Sequence, residues 1–151
     1  GHILHGACRS AGEIAYMRVP AGRLHDVASA TYLCREMACK KAADPEKVDG
    51  RTCFAWVRQG DATAAAVLDT FCQNLADGLA NIACLCNPDG IVLGGGIMAQ
   101  EDILRPKLET ALAARLPAMM LPPKGLAFAK RQNDAGMLGA LYLLLHRKGS
   151  Y

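Results

Sequence analysis

The stretch Asn87-Pro88-Asp89-Gly90-Ile91-Val92-Leu93-Gly94-Gly95-Gly96-Ile97-Met98 decides how the chain is read. Asn87 to Gly90 is turn chemistry, and Pro88 stops any helix that reaches it. Ile91-Val92-Leu93 follows as a short, all-apolar strand, as expected for the buried centre of a sheet. The strand runs straight into three glycines, and a helical pattern begins beyond them. Glycines at that point let a backbone come close to a ligand, and amides at the turn and at the helix start can face phosphate or ribose oxygens. The spacing is not Gly-x-Gly-x-x-Gly and no Gly-Lys-Ser/Thr follows, so Rossmann and P-loop readings fail. On these residues alone, a nucleotide-contacting turn and a tight turn with no ligand are equally open.

Upstream, Asp61 stands where an N-cap would start a long helix. Its apolar face is Leu68, Phe71, Leu75, Leu79, Ile82 and Leu85, spaced by three or four throughout. Residues 24–43 also read as a helix, with Leu24, Val27, Ala28, Tyr32, Leu33 and Met37 at helical spacing until Asp44-Pro45 breaks it. A shorter helix covers 50–58, with Phe54 and Val57 on one side. Residues 2–5 and 13–19 read as two short antiparallel strands, the second ended by Pro20. Downstream come a helix over 101–115, a link carrying Pro117, Pro122 and Pro123, and a strand at 126–129. A last helix over 135–146 is capped by Asp134. The order β-β-α-α-α-β-α-β-α predicts an α/β fold, a mixed sheet flanked by helices.

The chain has 151 residues, 52% apolar and 21% charged, which bounds it to one globular domain over 1–151. The net charge is +3 and no basic cluster stands out, so nothing here recruits nucleic acid. No apolar run approaches the ~18 residues of a membrane span, and the N-terminus lacks the apolar core of a signal peptide. There are seven cysteines. Cys34, Cys39, Cys72, Cys84 and Cys86 sit among Ala and Leu in helical patterns and read as small core residues of a protein in a reducing compartment, the cytoplasm. Cys84-x-Cys86 has no second pair to complete a zinc spacing. The sequence opens on Gly1-His2, without a methionine and within a strand-like pattern, and is expected to be part of a longer protein.

Two further groups could carry chemistry. In Gly12-Glu13-Ile14-Ala15-Tyr16, a carboxylate beside a Gly turn could accept hydrogen bonds from ligand hydroxyls, although an exposed edge-strand Glu is the commoner case. His25-Asp26 at a helix start could be a working pair or a capping Asp with a bystander His. Ser, His and Asp show no spacing of a nucleophilic triad.

Taken in order, several stretches resemble the ROK family of sugar kinases and sugar-responsive repressors. They are residues 1–7, Ala11-Gly12-Glu13-Ile14-Ala15-Tyr16-Met17, Leu24-His25-Asp26-Val27-Ala28-Ser29, Gly60-Asp61 and Leu75-Ala76-Asp77-Gly78-Leu79-Ala80-Asn81. Asn87-Pro88, Ile91-Val92-Leu93-Gly94-Gly95-Gly96 and Asn133-Asp134-Ala135-Gly136-Met137-Leu138-Gly139-Ala140 continue the pattern. The resemblance implies an actin-like (ribonuclease H-like) ATPase fold of two α/β domains closing on ATP and sugar, of which this chain is the C-terminal domain, incomplete at its N-terminus. It places Gly94, Gly95 and Gly96 on the adenosine side of the cleft and Glu13 on sugar hydroxyls.

The departures are as informative. A His of the family that contacts sugar is Tyr16 here, a second sugar-contacting Glu is His25, and the family's zinc cysteines are missing from residues 18–24. No structural zinc is therefore expected, and the sugar site is altered: an imidazole cannot accept two hydroxyl hydrogen bonds as a carboxylate does. The family's phosphate loops and its general base precede the segment found here. The expectation is thus the C-terminal part of an ATP- and Mg2+-dependent sugar kinase, without a catalytic residue of its own. The alternatives are the effector domain of a repressor, which would touch DNA only through a helix-turn-helix elsewhere, and a non-catalytic assembly piece. A homodimer with no membrane contact is expected, because family members associate and an open face should be buried.

Overall fold

A computed structural model describes residues 3–131 and 134–145. Expectations for Gly1, His2, Asn133 and His146 lie outside the described residues. The frame is one long helix, α4, Ala62–Cys86. Asp61 caps it as predicted, its carboxylate accepting from the Ala64 amide at 2.8 Å. Asn87, in the left-handed region at φ 41°, ends it, in keeping with the tolerance of Asn for that conformation.

Around α4 lie α1 (Leu24–Ala28), α2 (Ala30–Lys40), α3 (Gly50–Arg58) and α5 (Glu101–Ala113). Leu33, Met37, Cys53, Phe54, Leu68, Phe71, Cys72, Leu104 and Leu108 are fully buried and make the centre of the core. Arg58 latches α3 to the start of α5, donating to Gln100 at 2.7 Å and to both oxygens of Asp102 at 3.0 and 2.8 Å. Arg115 ties the far end of α5 back to Asp77 of α4 at 2.5 Å.

Several expectations are corrected. The mixed sheet is two separate two-stranded sheets among the described residues. An antiparallel ribbon joins β1 (Arg18–Val19) to β2 (Gly22–Arg23), and β3 (Ile91–Leu93) runs parallel to β4 (Leu126–Phe128). Residues 3–5 are not strand. Nor is most of 13–19: Ile14–Tyr16 is a 3₁₀ turn. With no strand beside them among the described residues, they satisfy their backbone locally, Ile14 N–H donating to Gly12 O at 2.7 Å and Met17 N–H to Ile14 O at 2.9 Å.

The helix predicted over 24–43 is broken at Ser29, which is extended (φ −96°, ψ 162°). Its hydroxyl accepts from the Tyr32 amide at 3.1 Å and so starts a new helix. Val92 is 69% exposed instead of central, because among the described residues β3 has only β4 beside it. Leu85, Cys84 and Cys86 are exposed too, since α4 reaches past the helices that cover it; Cys39 is exposed and Cys34 half-buried, and only Cys72 of the five sits in the core. Helix α6, Asp134–Leu145, is apolar, yet every one of its residues is exposed.

Candidate functional site

The expected sugar residues converge. Glu13, Tyr16 and His25 line one cleft of about 330 Å³, together with Ala15, Arg23 and Asp26. The 3₁₀ turn that replaces the predicted strand makes this possible: Glu13 precedes it, Tyr16 ends it, and the ribbon β1–β2 returns the chain to α1, where His25 is the second residue. At the rim, Arg23 donates to Asp26 at 2.6 Å. That bond, chiefly, holds the Asp26 carboxyl below the usual carboxylate range and raises the Arg23 guanidinium. Asp26 is thus a paired carboxylate, while the Glu13 side chain makes no hydrogen bond or ion pair among the described residues.

Helix α1 has five residues, too few to hold itself in place. Its position is dictated by a second face of α4, formed by Asn74, Gly78 and Asn81 at helical spacing of four and three. Buried Asn74 donates to Val27 O at 2.9 Å. Gly78 lets Leu24 lie against the helix: a Cβ there would stand 2.7 Å from Leu24 Cδ2. Asn81 reaches the Met17 sulfur at 3.5 Å. The sequence reading quoted Gly78 and Asn81 only within a matching run and missed Asn74. The signal was available in its register, since Asn74 stands three residues after Phe71 and seven after Val67, on a face that is otherwise apolar there.

The glycine turn lies elsewhere. Gly96 borders a groove of about 490 Å³ with Ala30, Asp49, Gly50, Arg51, Phe54, Ile97 and Gln100. Gly95 adopts φ 108°, ψ 162°, a conformation open in practice only to glycine. Gly94 and Gly95 are exposed next to this groove but do not line it. Phe54 and Ile97 offer an apolar floor, while Arg51 and Gln100 offer polar edges, a lining that suits a nucleoside. Asp49 is committed to α3, accepting from the Thr52 amide and hydroxyl at 2.8 Å each, which keeps its carboxyl below the usual range. No free carboxylate pair lines the groove, so its residues do not fit Mg2+. Among the described residues, no group of three or more His, Cys, Asp or Glu could hold a metal.

Cleft and groove sit at opposite ends of α1, with His25 at one end and Ala30 just beyond the other. Five helical residues rise about 7.5 Å, so the two openings are near neighbours. They carry acceptors, donors and apolar floors, and no nucleophile with its base. The arrangement is part of an actin-like ATPase fold, as solved sugar kinases of the same architecture show.

The chain belongs to the ROK family, whose sequence model matches residues 22–147. It is 42% identical over 142 residues to an uncharacterised protein of Clostridium perfringens, covering 94% of this chain and 48% of that one. To a glucokinase of Halalkalibacterium halodurans it is 31% identical over 175 residues, covering 99% and 52%. The crystal structure of a ROK family glucokinase from Streptomyces griseus, in complex with glucose and AMPPNP, superposes with a TM-score of 0.76 at 22% identity, covering 97% of this chain and 54% of that one. The chain spans about half the length of the curated relatives it matches.

Proposed function

We propose that this chain is the C-terminal domain of an ATP-dependent sugar kinase, supplying the sugar shelf and the adenosine wall. The observation that carries the reading is the convergence of Glu13, Tyr16 and His25 in one cleft, a helix's length from the groove beside Gly94, Gly95 and Gly96. Relatives named as glucokinases support it. In this reading Glu13 accepts from two sugar hydroxyls, and Tyr16 and His25 flank the ring and select among sugars. ATP lays its adenosine in the groove. In this reading the general base and the carboxylates for Mg2+ come from the other half of the kinase fold, outside these 151 residues. There the base takes the proton of the attacking hydroxyl while the γ-phosphate is transferred.

The test is steady-state phosphorylation of a hexose panel by the protein that carries this chain together with that half. Removing an acceptor of charge-assisted hydrogen bonds costs about 1.5–3 kcal/mol, so Glu13→Ala raises the sugar KM or lowers kcat/KM at least tenfold, with the ATP KM within twofold. Unchanged sugar kinetics would remove Glu13 from the site. A protein that binds sugar, transfers no phosphate and releases DNA when sugar is added would make this an effector domain instead.

A further inference from the structure

Two thiols outside both openings stand in contact. Cys34 on α2 and Cys53 on α3 have their sulfurs 3.9 Å apart. Cys53 is fully buried, whereas Cys34 is half-buried and reachable from solvent. A disulfide needs the sulfurs at about 2.0 Å, so closure asks for a shift of about 2 Å, within reach of side-chain rotation and a small adjustment of two packed helices. We propose that Cys34 and Cys53 form a dithiol modification site, which a low-molecular-weight disulfide oxidises to an intrachain bond between α2 and α3.

The order of events follows from access. The Cys34 thiolate attacks one sulfur of glutathione disulfide, forms a mixed disulfide and expels one glutathione thiolate. Cys53 then gives up its proton and attacks the Cys34 sulfur, expelling the second. The two protein thiols lose two electrons and two protons, and glutathione disulfide gains both to become two glutathiones. Burial pushes the Cys53 thiol up to about 12, so little of it is thiolate and its attack on the Cys34 sulfur is the slower of the two exchanges. Cys53 sits next to Phe54 and within the helix that gives Gly50 and Arg51 to the groove, so the bond would fix one groove wall. That consequence rests on the nucleotide reading, whereas the bond itself does not.

The test reads the bond. Cys8, Cys39, Cys84 and Cys86 are exposed, and replacing all four by Ser leaves three of the seven thiols. The folded variant is incubated with glutathione disulfide, acid-quenched, unfolded and alkylated, and its peptides are weighed. Alkylated thiols should fall from three to one, with a Cys34–Cys53 linked peptide that dithiothreitol abolishes. The same linked peptide is sought in the unsubstituted chain, so the result does not depend on the variant folding. Glutathione retained on Cys34 with Cys53 alkylated, or all three thiols still alkylated, would overturn the proposal.

Discussion

Gly94 and Gly95 are adjacent but differ in what they would ask of a side chain. At Gly95 a Cβ meets nothing within 4 Å, yet φ 108° with ψ 162° is closed to other residues. Gly95→Ala should therefore lose about 1–3 kcal/mol of stability through the backbone alone, whatever the ligand. At Gly94 the backbone is outside the left-handed region, and a Cβ would make an ordinary 3.8 Å contact with Ala129 Cβ. Gly94→Ala should leave the unfolding free energy measured in urea within about 0.5 kcal/mol of the parent. If the turn approaches a nucleotide, Gly94→Ala should nevertheless weaken binding of a fluorescent ATP analogue severalfold. Loss of affinity at Gly95 alone would make the turn a backbone requirement with no ligand against it. The sequence showed three glycines after a strand, and so a special turn. It could not show which glycine is obligatory, because that depends on backbone angles where the chain enters the 3₁₀ turn Gly96–Ala99. Likewise Glu13, Tyr16 and His25 were grouped by resemblance alone, since chain spacing does not report that a ribbon folds residue 25 back onto residue 13.

Helix α4 was legible almost to its ends because one periodic face and one cap agree. Its other face was not, because Asn74, Gly78 and Asn81 matter through what lies on them. The break at Ser29 was hidden for a related reason: periodicity continues across it, while a single hydroxyl captures the Tyr32 amide and turns one helix into two. Gly78 lets two opposed terms be weighed. Replacing Gly by Ala inside a helix gains about 1 kcal/mol in propensity. Here the new Cβ would stand 2.7 and 2.8 Å from the two Leu24 Cδ atoms, and Leu24 is itself buried. Moving its branches aside therefore disturbs the neighbours that enclose it, and overpacking of this kind costs about 1–3 kcal/mol. Gly78→Ala should thus destabilise by about 1 kcal/mol net in urea unfolding. Leu24→Ala alone costs about 2–5 kcal/mol, and the double variant should cost less than the two singles added, since the truncated side chain makes room for the new methyl. Strict additivity would mean that α1 is not seated on Gly78. Because α1 carries His25, the single variant should also shift sugar affinity where an equally destabilising core change does not.

Across the whole molecule the clearest disagreement with expectation is a surplus of exposed apolar surface. Val92 faces out of a parallel strand, and Met137, Leu138, Leu141, Leu144 and Leu145 of α6 are all exposed. Segment composition predicts a sheet flanked by helices and a last helix, and it does not reveal how much of either stays uncovered among the described residues. The matched relatives are about twice as long as this chain. A helix apolar on every side gains stability by burial, so the exposed leucines of α6 favour a further covering surface. In the chain alone the available partner is a second copy, and self-association through α6 is expected in sedimentation velocity. Leu141→Ser with Leu144→Ser removes about 1.5 kcal/mol or more of burial per leucine, which weakens association at least about a hundredfold. Neither leucine is buried in the isolated chain, so its unfolding free energy should change by less than about 0.5 kcal/mol for each. If the other half of the kinase fold covers α6 in a longer protein, the same pair should instead cost several kcal/mol of stability there and leave oligomerisation unmoved. A pair of substitutions that unfolds the isolated chain, or leaves its association constant untouched, would mean that α6 is satisfied by some other contact.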